Sequence, residues 1–135
     1  MSKQADNGYM LIFRGTDWYK GLSPEEMQRV FDAWMAWFNG LKAAGTALAG
    51  NPLEPDGKVV SGANGRVVSD GPFAEAKETI GGYFLLNVRT IDEAVSIAKQ
   101  CPGLPYGIRV EVRQVAAQCP MTEVLREEAA LASTR

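Results

Sequence analysis

The residues best suited to chemistry gather in one stretch, Ser69 to Phe84, which reads SDGPFAEAKETIGGYF. Asp70 precedes Gly71 and Pro72, so its carboxylate can accept a backbone N–H at the start of a short helical turn, or face a cleft as an acid. A capping carboxylate is ordinarily ionised, which favours the cap over proton transfer. Glu75 and Glu78 stand three residues apart and share a side of that turn. Such a pair could hold a cation or divide acid and base work, although two carboxylates without a third ligand more simply make a solvated face. Lys77 points elsewhere on the turn, where it could neutralise an acidic ligand or pair with Glu78 or Asp70 on the surface. Gly81 and Gly82 stop the turn and let a backbone or ligand approach the next strand closely. Tyr83 then offers an apolar ring with a polar tip, suited to a cleft wall or to the core.

Three further residues extend this set of ligand contacts. Arg14 ends the first apolar run and could take a carboxylate bidentately. Trp18 and Tyr19 follow in a loop, where they could lid a pocket or make a subunit contact. Arg109, Glu111 and Arg113 read as the charged outward face of an edge strand. The chain has no His, which removes the commonest general base near neutral pH and the commonest metal ligand. Cys101 and Cys119 lie far outside CxxC spacing, so neither a zinc site nor a disulfide is expected. No metal and no cofactor is therefore anticipated, and no catalytic residue is assigned.

The elements that must position these residues follow from periodicity and caps. Tyr9 to Arg14, YMLIFR, is a short apolar run of strand length. Ser23, Pro24 and Glu26 form a capping box with Pro at the first helical position, opening a helix that stops near Gly45. Its apolar stripe is read as Met27, Val30, Phe31, Trp34, Phe38 and Leu41, with Met35 and Trp37 partly off it and available to a second surface. A weak strand is possible at Thr46 to Asn51. KVVSGANGRVVSD then reads as a hairpin turning at Asn64-Gly65. IGGYFLLNVR is apolar on both faces. A second capping box, Thr90 to Glu93, opens a helix buried through Ile91, Ala94, Val95 and Ala98, and YGIRVEVRQV alternates as a half-exposed strand. The segment after Pro120 could form a helix with Val124, Leu125 and Leu131 leaning inward.

This order is the split β-α-β-β-α-β arrangement of a ferredoxin-like α+β fold with an inserted hairpin. Both helices of that fold cover one face of an antiparallel sheet. The central runs YMLIFR and YFLL nonetheless carry apolar residues on both sides, so the other face needs a cover, and an identical sheet from a second subunit is the expected one. The domain is placed at residues 9–115, between a polar segment 1–8 and a tail 116–135. A length of 135 residues suits one domain. A net charge of −2 gives no basic field for nucleic acid or an anionic membrane. No apolar run approaches the ~20 residues of a membrane span, and the polar start MSKQADNG is unlike a signal peptide, so a cytoplasmic location is expected.

The motifs DGPF at Asp70 to Phe73, YMLIFR, LSPEEM, FAEAKETIGGYF, IDEAVSIAKQCP and YGIRVEVRQV together resemble the DGPF-domain branch of the YCII-related proteins, over roughly Tyr9 to Val115. The resemblance implies a dimeric α+β barrel of ferredoxin-like units. Some relatives carry the domain near sigma-factor-like transcription proteins, and one type removes chloride from a chlorinated hydroxyquinol. Enzymatic relatives rely on a His from the first helix and an Asp before a Pro after the second helix. This chain has no His and carries Cys101-Pro102 at the second place, so the pair is not transferred. The expected function is a homodimer that binds a small organic acid or phenol in a sensor or accessory role. A metal-independent lyase or isomerase and a protein-interaction module linked to transcription are the alternatives.

Overall fold

The computed structural model describes residues 7–71 and 79–133. Pro72, Glu75, Lys77 and Glu78, with the polar turn they were assigned to, lie outside the described residues. The elements are β1 (Tyr9–Arg14), α1 (Pro24–Ala43), β2 (Ala47–Pro52), β3 (Gly57–Ser61), β4 (Val67–Gly71), β5 (Ile80–Leu86), α2 (Ile91–Ala98), β6 (Arg109–Gln114) and α3 (Pro120–Ser133). Four strands form an antiparallel sheet in the order β2-β5-β1-β6, with β1 and β5 central, which is the ferredoxin-like topology. The strands β3 and β4 form a separate two-stranded hairpin.

Local chemistry accounts for the boundaries. Ser23 and Thr90 cap α1 and α2 by accepting the N–H of Glu26 and Glu93. The chain leaves α1 through Gly45 at φ +76°, with Gly45 N–H to the Lys42 carbonyl and Thr46 N–H to the Leu41 carbonyl. The hairpin turns through Gly62, Asn64 and Gly65, all at positive φ.

The sheet alternates sharply. Tyr9, Leu11 and Phe13 of β1 and Phe84 and Leu86 of β5 are buried towards the helices, while Met10, Ile12, Arg14, Tyr83 and Leu85 alternate onto the opposite face. From α1, Trp34, Trp37, Phe38 and Leu41 pack on this core. Two expectations about α1 change here. Trp37 is in the packing, with its ring 4.9 Å from Phe84 and 6.0 Å from Phe13, whereas Phe31 is 59% exposed. At 3.6 residues per turn, Trp37 falls about 20° beyond Val30, next to the arc set by Val30, Trp34 and Leu41, whereas Phe31 lies roughly 80° from the middle of that arc on its other side. In α2, Ala94 and Ala98 are buried as expected, but Ile91 in the first turn stays exposed and Ile97 joins the core.

Two elements keep apolar groups outside. Val59, Val60, Val67 and Val68 of the hairpin are exposed. So are Met121, Val124, Leu125 and Leu131 of α3, which do not lean inward. Among the described residues no helix is long and apolar enough to cross a membrane.

Candidate functional site

A cleft of about 500 Å³ opens on the helix-covered side, at the sheet end where β1 leaves and β5 enters. Phe13 and Phe84 of the central strands form its floor. Phe31, Trp34, Met35 and Phe38 of α1 form one wall, and Trp18 and Tyr19 of the loop after β1 another. The segment Gly50–Leu53, with Pro55, closes the rim opposite, beside Gly81 and Gly82.

The rings brace one another. Phe13 meets Trp34 and Phe84 edge-on, with centroids 5.0 and 4.8 Å apart, and Phe38 lies 4.7 Å from Phe84. Trp18 lies nearly parallel to Trp34 at 5.9 Å and to Tyr106 at 6.2 Å. Offset and edge-on ring pairs of this kind each add about 0.5–1.5 kcal/mol beyond burial, so the wall is stiff before any ligand arrives. No described lining residue is charged. The cleft can therefore desolvate an apolar, planar molecule, but its described walls offer no counter-charge to an acid.

The glycines make this space. A Cβ on Gly81 would stand 2.8 Å from the Gly15 carbonyl oxygen, and one on Gly82 would meet the Asn51 carbonyl oxygen at 3.0 Å and Pro52 Cα at 3.2 Å. They bring β5 against β2 and the loop after β1. Gly50 does the same for the floor, since a Cβ there would come within 2.7 Å of the Phe84 ring and 2.8 Å of the Phe38 ring. Gly50 lies in the possible strand Thr46 to Asn51, and neither it nor Pro52, Leu53 and Pro55 was expected at a site. The signal was present in GNPLEP, a glycine and two prolines at a strand end.

The residues grouped by sequence part company in space. Trp18 and Tyr19 line the cleft with Gly81 and Gly82, and Tyr83 borders it. Arg14 is elsewhere. Its Nε donates to Glu111 Oε1 at 2.7 Å on the helix-free face, where Arg113 Nη1 reaches Glu111 Oε2 at 2.9 Å. Hydrogen bonds from Arg113 and then Arg14 hold the Glu111 carboxyl below the usual range. The edge-strand charges are thus part of an ion cluster that occupies Arg14, because β1 and β6 put Ile12 opposite Glu111 and Arg14 opposite Arg109. Asp70 and Gly71 belong to strand β4 rather than to a helical turn, and the Asp70 carboxylate contacts Lys58 Nζ across the exposed hairpin. Lys77 and Glu78 lie outside the described residues.

Neither cysteine stands in the cleft. Cys101 is buried in the core, and burial pushes its thiol up to about 11, which leaves it a poor nucleophile. Cys119 is exposed. Among the described residues no group of three or more His, Cys, Asp or Glu side chains converges on a point.

An uncharacterized protein of Rhizobium meliloti (strain 1021) is 38% identical over 55 residues, which cover 40% of this chain and 44% of that relative. The chain thus matches less than half the length of that relative. The solved complex of 5-chloro-2-hydroxyhydroquinone dehydrochlorinase (TftG) from Burkholderia phenoliruptrix with 2,5-dihydroxybenzoquinone is 19% identical, covering 82% of this chain and 95% of its own at a TM-score of 0.42. The YCII-related domain matches residues 9–116, from the first strand past the last strand of the sheet, and the chain belongs to the YCII-related family.

Proposed function

We propose that the protein is a small-molecule-binding homodimer whose cleft takes uncharged aromatic compounds, phenols above all, in a sensor or accessory role. The observation that carries this reading is the cleft itself, about 500 Å³ walled by braced rings with no charged group among its described lining residues. That volume falls in the range of small-molecule sites. A phenol buries its ring against Phe13, Trp34 and Phe84 and leaves its hydroxyl for the Tyr19 side or the backbone rim. A carboxylate would lose its hydration without a described partner, so the organic acids anticipated from Arg14 are the weaker ligands. Among the described lining residues Tyr19 brings an ionisable side chain to the cleft, while the Tyr83 ring alternates onto the opposite face, an arrangement better suited to holding a ring than to moving protons.

Dimerisation is supported by the other face of the sheet. Met10 and Ile12 of β1 stand beside Leu85 and Tyr83 of β5 there, an apolar centre flanked by the Arg14–Glu111–Arg113 cluster. A second copy of the same face would cover it and leave the cleft, on the helix side, open to ligand.

The test is tryptophan fluorescence and thermal shift of the full chain with phenols and with benzoates of matched size. Phenols quench and stabilise, and benzoates do so at least tenfold more weakly. Equal responses, or a preference for benzoates, would show that a cation outside the described lining governs the site.

A further inference from the structure

The wall of the main cleft has a second side. Trp18, Tyr19, Phe31 and Trp34, which line the cleft, also line a shallower hollow of about 280 Å³ completed by Leu22, Met27 and Val30. Both spaces share the Trp18 ring and its near-parallel neighbour Trp34. The loop that carries Trp18 has bonds of its own, Lys20 N–H to the Asp17 carbonyl, Leu22 N–H to the Tyr19 carbonyl and an Asp17–Lys20 ion pair of 2.7 Å, besides the Trp18 ring contacts with Trp34 and Tyr106.

Along α1 the hollow gives a use to residues the core leaves out. Met27, Phe31 and Met35 recur every fourth position and so form a straight row on the flank of the helix. They remain 38, 59 and 39% exposed. Met35 and Phe31 border the cleft, and Phe31 and Met27 border the hollow, so one uninterrupted apolar track joins them. The far end of the track is aliphatic, made by Leu22, Met27 and Val30, with Met27 its unbranched, adaptable member. Such walls offer nothing to a charged or peptide group, and they fit a flexible chain as Met-rich surfaces do.

We propose that the natural ligand is amphiphilic, an uncharged aromatic head in the main cleft bearing an unbranched alkyl substituent that runs over Phe31 and Met27 into the hollow. This rests on the reading of the cleft as a phenol site. The alkyl class is set by the lining of the hollow, and the direction by the row on α1.

The experiment titrates the full chain with para-alkylphenols from phenol to para-hexylphenol, read by tryptophan fluorescence, for the wild type, Met27→Ser and Leu22→Ser. Both substituted residues line the hollow and not the cleft. In the wild type each added methylene strengthens binding about fourfold until the hollow is filled, the increment expected for burying a CH₂. Both variants bind phenol as the wild type does and lose most of the gain with chain length. If phenol binds but the gain is absent, or is equal in all three proteins, the alkyl track is wrong and the cleft reading stands. If no member of the series binds, both readings fall.

Discussion

Phe84 and Leu85 are neighbours in β5, and they face two differently built surfaces. Phe84 is 5% exposed and touches Phe13, Trp34, Trp37 and Phe38 through its ring. Leu85 pairs with Met10 of β1 and Ala49 of β2 on the face that carries no helix, and remains partly exposed. The covered face is finished within one chain, with rings locked edge to face and a cleft left between them by glycines. The open face is equally apolar at its centre but ends in a charge cluster. Similar residue types have become a core on one side and, in our reading, a subunit interface on the other, because only one side lies under α1 and α2.

The largest test of that contrast is Phe84→Ala. Removing the ring that four others touch should lower stability by about 3–5 kcal/mol in denaturant unfolding, with loss of the fluorescence response to phenol. Leu85→Glu should act on the other surface. We expect a folded chain that sediments as a monomer where the wild type sediments as a dimer, with phenol binding retained, and a dimeric variant would remove this face from the interface.

Gly82→Val separates scaffold from site within the cleft. A branched side chain beside Asn51 and Pro52 should cost about 1–3 kcal/mol, measured as a lower melting temperature, even without added ligand. A variant of unchanged melting temperature would mean that β2 yields easily at that rim.

The two faces also differ in their response to pH. Cys101, on the covered side, has its thiol raised from 9.0 to about 11 by burial. The folded state resists its ionisation, so the stability it lends is complete below pH 9 and is lost as the pH rises through about 11. Cys101→Ala should flatten that alkaline decline, and iodoacetamide at neutral pH should label Cys119 while sparing Cys101. The smallest effect belongs to the open face. Glu111 is held below the ordinary carboxylate range by Arg113 and Arg14, so its stabilising contribution is present above that range and fades as the pH falls below it. Glu111→Gln should reduce the acid-side loss of stability slightly and leave the alkaline side unchanged. An unchanged acid limb would mean that the cluster is fully screened.

What could be read from sequence was local. The caps Ser23 and Thr90, the runs YMLIFR and YFLL, the Asn64-Gly65 turn and the strand–helix order depend on residues within a few positions of one another, and they were sufficient for the ferredoxin-like arrangement. The site was less legible. Trp18, Tyr19, Gly81 and Gly82 were named from type and position and do stand together at the cleft. Arg14 was grouped with them because it ends the first strand and could take a carboxylate bidentately, but one step of the strand pleat sends it through the sheet to Glu111. Gly50 and Phe31 show the converse. Nothing beside Gly50 in the chain reveals the rings of Phe38 and Phe84 that forbid a Cβ there, and the helical period alone places Phe31 at the edge of the stripe without saying whether core or cleft lies beyond it. Local sequence determines which face a side chain takes. What that face then meets is decided by strands and helices far apart in the chain, through packing that no short window contains.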